Sequence, residues 1–319
     1  MQPKAITLPV AGTANRLLAS RTDGLPKRWR SLSSVATLLF IWTSPALADG
    51  WIDLTAAATR YDNLTRAQDS ADRRADNALS VAFSGGHYPA FSGEDGLSLT
   101  LDLRGEAYGR YRDLDRLGVG GTAAYRRKFG LGMTVPWIGV SASAARDEYG
   151  DVIRDGMPLR IGVELGQRFS ARTEARLRVE LDHRVARHDA EPEVPGYSTR
   201  VFDLRGRSIQ AMLEHSVSDA LLLGVQVGVR RGDVESTAQQ SMAIFLASDA
   251  IAADPAFGDP ALYAYRLPAT TYTTALTASW AFSDKSSLNV GYTDNRSYAA
   301  YGIRYIDRAI VLSLAYHYP

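Results

Sequence analysis

Long segments in which apolar and polar residues alternate one by one are the feature that most constrains how this chain can fold. Between residues 175 and 187, every second position is apolar, and the positions between are mostly Arg, Glu and Asp. The apolar set is Leu177, Val179, Leu181 and Val185. Successive side chains of a strand point to opposite faces, so this pattern predicts a strand with one apolar and one charged face.

The same alternation recurs along the chain. The twelve segments predicted as strands are roughly 51–60, 77–90, 97–110, 117–129, 136–147, 157–169, 175–187, 206–217, 221–231, 270–282, 287–297 and 304–318. Each is at least as long as the 9–11 residues that a tilted strand needs to cross a membrane. An even number of strands would bring both ends of the chain to the same side of that membrane.

The connections between these segments alternate in length. Short, Gly-, Ser- or Asp-rich connections are predicted at 91–96, 130–135, 170–174, 218–220 and 283–286. The longer ones lie at 61–76, 111–116, 148–156, 188–205, 232–269 and 298–303. Tight turns at one end of a barrel and longer loops at the other are typical of outer-membrane barrels.

The first 48 residues have the layout of a secretory signal peptide. A basic leader is followed by a short apolar stretch at 35–42 and then by Ala46, Leu47 and Ala48, a small-x-small cleavage pattern. The apolar stretch is too short to span a bilayer as a helix. We therefore predict a signal peptide at 1–48 and a barrel domain at 49–319.

The direction of the apolar face follows from the width of the sheet. A closed sheet of twelve strands is too wide for side chains to fill, so a charged face suits a wet lumen and an apolar face suits lipid. A soluble sandwich could also alternate, but its strands are usually about five or six residues long. The sequence therefore predicts an all-β fold, a transmembrane antiparallel up-and-down β-barrel of about 12 strands, in the outer membrane of a Gram-negative bacterium.

Aromatic residues cluster near both ends of the predicted strands. The set near the short turns is Trp51, Phe91, Phe129, Trp137, Phe169, Phe282, Tyr316 and Tyr318. The set near the long loops is Tyr61, Tyr111, Tyr149, Tyr197, Phe202, Tyr272, Tyr298, Tyr301 and Tyr305. Two belts of rings at the headgroup levels of a membrane would give this distribution.

The charged face supplies the first candidate site. Its predicted lumen-lining residues are Arg104, Arg126, Arg160, Glu164, Arg168, Arg176, Arg178, Glu180, Asp182 and Arg184. Such a lining could favour anions in a pore, because charged rings set selectivity. Opposite charges on neighbouring strands could instead pair and stiffen the wall, and both hypotheses can hold together.

The long connection at 232–269 supplies the second candidate site. It contains Ile244, Phe245 and Leu246, an apolar run that a loop surrounded by water does not need. These residues could form a constriction or plug inside the lumen, or a short helix over a partner site. A locally packed loop without a function remains an alternative.

Composition and histidine spacing argue against several chemistries. The chain has no cysteine, which excludes disulfides and thiolate sites, and its net charge of +1 does not point to nucleic acid. His215 and Ser216 are adjacent and so face opposite ways on a strand, and His183 and His188 are five residues apart, which is poor metal spacing. We predict no catalytic residue, metal site or cofactor; the expected partners are outer-membrane lipid and the barrel assembly machinery.

The last hairpin, YTDNRSYAAYGIRYIDRAIVLSLAYHYP at 292–319, resembles the C-terminal barrel of the surface lipoprotein assembly modifier family. The matching positions are Tyr292, Asn295, Ser297 and the apolar-alternating strand at 309–318, and RYDN at 60–63 is also similar. That family usually carries a helical-repeat domain before its barrel, and no segment here fits one. The resemblance implies a role in moving or displaying lipoproteins at the cell surface, with a surface lipoprotein as a further partner.

Three functional hypotheses follow. The first is a conduit that is not an enzyme, either a small-solute pore or an export barrel of the modifier type. The second is a barrel enzyme, lipase- or protease-like, acting at the outer rim. The third is a plugged structural or adhesive barrel.

Overall fold

A computed structural model describes residues 50–89, 94–190 and 195–319 of the chain. The predicted signal peptide at 1–48 lies outside these residues. The strands are β1 (Gly50–Tyr61), β2 (Asp76–His87), β3 (Asp95–Tyr108), β4 (Arg116–Lys128), β5 (Trp137–Tyr149), β6 (Gly156–Arg168), β7 (Thr173–Ala186), β8 (Leu204–Ser216), β9 (Leu221–Ala238), β10 (Ala250–Ala253), β11 (Tyr263–Ser283), β12 (Ser286–Ala299) and β13 (Arg304–Tyr318). One α-helix, α1 (Met242–Ala247), lies between β9 and β10, and short 3-10 turns occupy Arg112–Leu114, Val152–Arg154, Pro255–Phe257 and Ala300–Gly302.

Twelve of these strands close on themselves as an antiparallel barrel. Consecutive strands pair from β1 to β9, β9 pairs with β11, and β13 pairs with β1, where Ile52 lies opposite Tyr318. The short β10 adds to the outer end of β11. Closure pairs both sides of each of the twelve barrel strands with a neighbouring strand. The predicted fold class is confirmed.

The apolar face of the sheet points outward. Leu79, Ile161 and Leu181 are 68%, 59% and 58% exposed. The other barrel strands also expose apolar side chains on this face. An exposed apolar band of this extent is stable in lipid and not in water. Within the described part of the chain, no helix is both long and apolar enough to cross a membrane.

Two strands are longer than the alternation predicted. β9 continues to Ala238 and β11 begins at Tyr263, so the predicted loop at 232–269 was too long, and the true connection is 239–262. The alternation fails there because other segments cover both faces of the added strand ends and bury neighbours of opposite parity, such as Ala264 and Tyr265. A strand that is covered on its outer side as well has no polar positions to mark its period.

Candidate functional site: the lumen wall and its outer cap

The inward-facing side chains of β3 to β9 form what we call the charged wall. All ten residues predicted to line the lumen lie on the face opposite the exposed leucines, isoleucines and valines. This placement follows from strand parity, because Arg160 and Glu164 alternate with the exposed Ile161 and Val163. Most charged side chains of this wall form ion pairs with one another.

Two ion pairs of the charged wall span three strands across a glycine. Arg104 on β3 donates to Asp147 on β5 at 2.8 Å, and the pair lies over Gly118 on β4. A Cβ atom at Gly118 would lie 2.7 Å from the Arg104 Nε atom, which is too close for real atoms. The absence of a side chain on the middle strand is therefore what allows the outer two strands to pair.

The second such pair joins Arg230 on β9 to Asp182 on β7 at 2.6 Å. It lies over Gly206 on β8, where a Cβ atom would be 2.6 Å from the Arg230 Nε atom. Glycine normally weakens a strand because it is flexible and has no side chain to pack. Here a flat guanidinium that contacts the bare backbone replaces that packing.

Most of the other predicted lumen residues pair between adjacent strands or along one strand, whereas Arg184 on β7 pairs with Glu235 on β9, two strands away. Arg178 donates to Glu180 at 2.6 Å, and Arg160 lies 3.9 Å from the same carboxylate. The remaining pairs are Arg168 with Glu174, Arg176 with Glu214, and Arg184 with Glu235. Opposite charges on neighbouring strands stabilise a sheet, so the stiffening hypothesis accounts for most of these residues.

The inward-facing side chains of β11, β12, β13, β1 and β2 form a contrasting wall with few charged groups, which we call the neutral wall. Thr271 bonds Ser297 at 2.8 Å, and Thr273 donates to Asn295 at 2.8 Å. Asn295 in turn donates to Asp307 near the outer end. Short hydroxyl and amide groups along this wall remain able to bond water, so the lumen is polar all round its circumference.

The half of the lumen nearest the short turns encloses a cavity of about 670 Å³, which we call the vestibule. Arg126, Trp137, Arg160 and Glu164 are among its lining residues. The Arg126 guanidinium lies 5.4 Å from the centre of the Trp137 ring, a cation–π distance. The ring itself lies flat over Gly166, where a Cβ atom would be 2.6 Å from its Nε1 atom.

This position and several others correct the predicted aromatic belts, because near the long loops Tyr111, Phe202 and Tyr305 are buried inside the protein, at 5%, 3% and 1% exposed. Trp137 shares a face with the inward-pointing Ser141, and Trp51 lies opposite Gly86 on the same inner side of β1 and β2. Both indoles therefore face the lumen and not the lipid headgroups. Nearness to a strand end suggested a belt, but the side-chain direction is set by strand parity.

The connection 239–262, which we call the cap, crosses the outer mouth of the barrel. It touches each of the other five outer connections, which surround that mouth. Phe257 contacts Tyr111 with ring centres 5.1 Å apart, the Ile251 N–H donates to the Ser198 carbonyl, and Ile244 lies in one apolar cluster with Ile303. A single segment can reach all sides of a ring only by passing over its opening.

Charged contacts reinforce the cap. Arg154, in the connection between β5 and β6, donates to Asp254 of the cap at 2.6 Å and to Glu235 at 3.2 Å. Its guanidinium is 6% exposed, and the Asp254 carboxylate is fully buried. Burial lowers the pKa of Arg154, but the carboxylates of Asp254 and Glu235 raise it further, so the net shift is upward and the group stays charged.

The predicted constriction residues lie in α1 of the cap. Ile244 is buried in the apolar cluster beside Ala247, and Phe245 packs on Tyr197 with ring centres 4.7 Å apart. Leu246 is 51% exposed. The side chain of Ser241 accepts from the Ile244 N–H and caps the start of the helix. The run is therefore a short helix whose inner side packs on the outer loops, and the role of a constriction stays a prediction.

The histidines make isolated polar contacts. His183 bonds Asp203 at 3.0 Å, His215 bonds Thr173 at 3.0 Å, and His317 bonds Asp53 at 2.7 Å. Over residues 50–89, 94–190 and 195–319, no group of three or more His, Cys, Asp or Glu side chains is arranged to hold a metal ion.

The sequence analysis missed the residues that hold the cap, namely Arg154, Glu235 and Asp254. Their separation in sequence is large, because 100 positions divide Arg154 from Asp254. A cue was available in the Asp-Pro pair at 254–255, which is typical of a turn onset and suggested local structure inside the loop.

No family model and no curated protein matches the sequence, but solved outer-membrane β-barrels resemble the structure. An outer membrane channel from Pseudomonas putida F1 is 12% identical, with a TM-score of 0.51 over 86% of this chain and 97% of the channel. The outer membrane channel DcaP of Acinetobacter baumannii is 8% identical (TM-score 0.40, 85% and 96% covered). The translocator domain of the autotransporter NalP from Neisseria meningitidis is 11% identical (TM-score 0.40, 94% and 97% covered). Likeness at this identity establishes the barrel fold and leaves the function open.

Proposed function

We propose that this barrel is an outer-membrane conduit for small charged solutes, with a weak preference for anions, and that the cap closes its outer end. The observation that carries the proposal is the continuous polar lining of the lumen, charged on one wall and hydroxyl-bearing on the other. Such a lining keeps water and ions inside a barrel that lipid surrounds outside.

The preference for anions rests on two basic groups of the charged wall. Arg126 and Lys128 make no ion pair with any residue in the described ranges, whereas most arginines farther along the wall are neutralised. Arg126 lines the vestibule together with Glu164, which has no described ion-pair partner either, so the net excess of positive charge is small. Charges that are not paired act on a passing ion more strongly than paired ones do.

The cap would act as the gate. Its apolar core excludes water, and opening it would expose Ile251 and Phe257, which are only 2% and 6% exposed. Opening would also separate Arg154 from Asp254. Water would solvate both separated charges, so the ion pair positions the cap and burial of the apolar core holds it closed until a ligand or a membrane potential offsets that burial.

Conductance in a planar bilayer tests the proposal. The full chain would be secreted in a Gram-negative host and purified from its outer membranes. In a capless variant, an Asn-Gly turn would replace residues 239–262, because Ala238 and Tyr263 are already opposite each other in the register. We expect rare, brief openings in the native protein and steady conductance steps in the capless variant.

Heat-modifiable mobility on a gel is the control for folding in both proteins. A capless barrel that is folded but never conducts would contradict the proposal, since the lumen would then be blocked below the cap. Steady conductance in the native protein would contradict the gating role of the cap alone.

Export of a surface lipoprotein is a narrower form of the conduit, which the resemblance of the last hairpin supports. Two of the matching residues, Asn295 and Ser297, bond Thr273 and Thr271 in the neutral wall, so a structural role also explains them. Export would be favoured if surface display of a lipoprotein reporter required this barrel. Display should then be lost when the cap is fixed shut.

A further inference from the structure

Two arginines lie directly opposite each other on the outer, lipid-facing surface of the barrel. Arg207 on β8 is the register partner of Arg231 on β9, and both side chains are exposed. The pair below them, Ile209 opposite Val229, belongs to the apolar band. The two guanidiniums are therefore the first charged groups above that band, at the headgroup level of the outer leaflet.

Neither guanidinium has a partner within the protein. Over the residues that the structure describes, Arg207 and Arg231 form no ion pair and no side-chain hydrogen bond. The nearby carboxylate of Asp233 accepts the backbone N–H of Arg205 instead. Like charges directly opposite each other on paired strands destabilise a sheet, so this position calls for a negative charge from outside the chain.

Several other outward-facing arginines at this end of the barrel are neutralised locally, whereas Arg60 bonds only the neutral side chain of Asn77. Arg296 and Arg308 both bond Asp294, at 2.7 and 2.9 Å, and Arg146 bonds Glu148 at 2.5 Å. Arg207 and Arg231 differ from these arginines because two guanidiniums without a carboxylate partner lie directly opposite each other.

We propose that Arg207 and Arg231 bind a phosphate group on a glycolipid of the outer leaflet. The planar guanidinium donates pairs of hydrogen bonds that match phosphate oxygens. Ile209 and Val229 lie directly below, and the 58% exposed Leu181 lies beside Arg207, so the three form an apolar surface where the acyl chains of the same lipid would lie. A free anion would use only the arginines, whereas a phosphorylated lipid would use both surfaces. This inference does not depend on the proposed conduit function.

Retention of lipid A by the purified protein tests the inference. The full chain, secreted and purified from outer membranes, would be titrated in detergent with diphosphorylated lipid A, and bound lipid would be counted by native mass spectrometry. Each arginine near an anionic headgroup contributes enough that losing two should weaken binding about 30-fold. We expect that loss in the double variant Arg207→Gln, Arg231→Gln, and only partial recovery in the double lysine variant, which restores the charge but not the paired hydrogen bonds.

The matched control removes two arginines at the opposite end of the barrel, Arg127→Gln with Arg172→Gln, and should retain lipid as the native protein does. Equal retention by the Arg207/Arg231 glutamine variant and the native protein would overturn the inference. Equal binding of lipid A stripped of its phosphates would overturn it too, and competition by millimolar inorganic phosphate alone would assign the site to a free anion. If the double variant does not fold, the single Arg231→Gln variant answers the same question with a smaller expected loss.

Discussion

The two halves of the lumen wall solve the same problem in different ways. The charged wall of β3 to β9 fills its inner surface with long arginines that pair with carboxylates, some across a glycine such as Gly118. The neutral wall of β11 to β13, β1 and β2 uses short Thr, Ser and Asn side chains that bond each other, as Thr271 bonds Ser297. Both walls are polar, but the first depends much more on charge balance.

This difference teaches that two inward-facing glycines, Gly118 on the charged wall and Gly291 on the neutral wall, should respond to an added side chain in opposite ways. On the charged wall Gly118 makes room for a guanidinium, so adding a methyl group should force the ion pair apart. On the neutral wall Gly291 has Val311 as its nearest neighbour, with 3.9 Å available to an added Cβ atom. There an added methyl group meets only ordinary van der Waals contact.

The largest expected effect is therefore that of alanine at these two glycines. Gly118→Ala should destabilise the barrel by about 1–3 kcal/mol, the usual cost of overpacking. Gly291→Ala should change stability by less than about 0.5 kcal/mol or slightly stabilise the strand. Reversible unfolding in urea, followed by gel mobility, measures both, and equal losses at the two sites would remove the distinction between the walls.

A smaller effect is expected for the coupling energy between paired side chains. Its dependence on salt should differ between the two walls. A double-mutant cycle on Arg104 and Asp147 should give about 1 kcal/mol at low salt, because the arginine is 36% exposed and solvent screens the pair. The same cycle on Thr273 and Asn295 should give about 0.5–1 kcal/mol. Raising the salt concentration should weaken only the charged coupling. If salt weakened the Thr273–Asn295 coupling as much as the Arg104–Asp147 coupling, the two walls would not differ in their dependence on charge.

The smallest expected effect concerns ion selectivity. Replacing Arg126 and Lys128 with glutamine in the capless variant should shift the permeability ratio toward cations by a factor on the order of two. Thr277→Val, on the neutral wall, should leave the ratio unchanged. Reversal potentials in a potassium chloride gradient measure the ratio, and a shift toward anions in the first variant would refute the proposed preference.

The strands and their two faces were predictable because alternation in the sequence reports directly on side-chain direction. Strand parity also places Arg104 and Asp182 on the polar face. Parity turns Trp137 inward as well, although this residue lies near a strand end. The partner of each arginine was not predictable, because Arg104 reaches past β4 to Asp147, and only the barrel register brings those strands together.

The cap was beyond sequence analysis for a different reason. Its residues are buried by loops from every part of the chain, so no period marks which side of Ile251 or Phe257 faces inward. The contact of Arg154 with Asp254 joins distant segments whose approach depends on closure of the barrel. The short apolar run at Ile244 indicated buried structure in this loop, without indicating what would cover it.

The most direct test of the central claim, a wet lumen closed at its outer end, is the accessibility of a cysteine placed inside it. The chain has no cysteine, so Ser141→Cys in the vestibule would be the only thiol. We expect a small charged thiol reagent to label it from the periplasmic side but not from outside intact cells, and to label it from both sides in the capless variant. Rapid labelling from outside in the native protein would contradict a closed cap, and no labelling from either side would contradict a wet lumen.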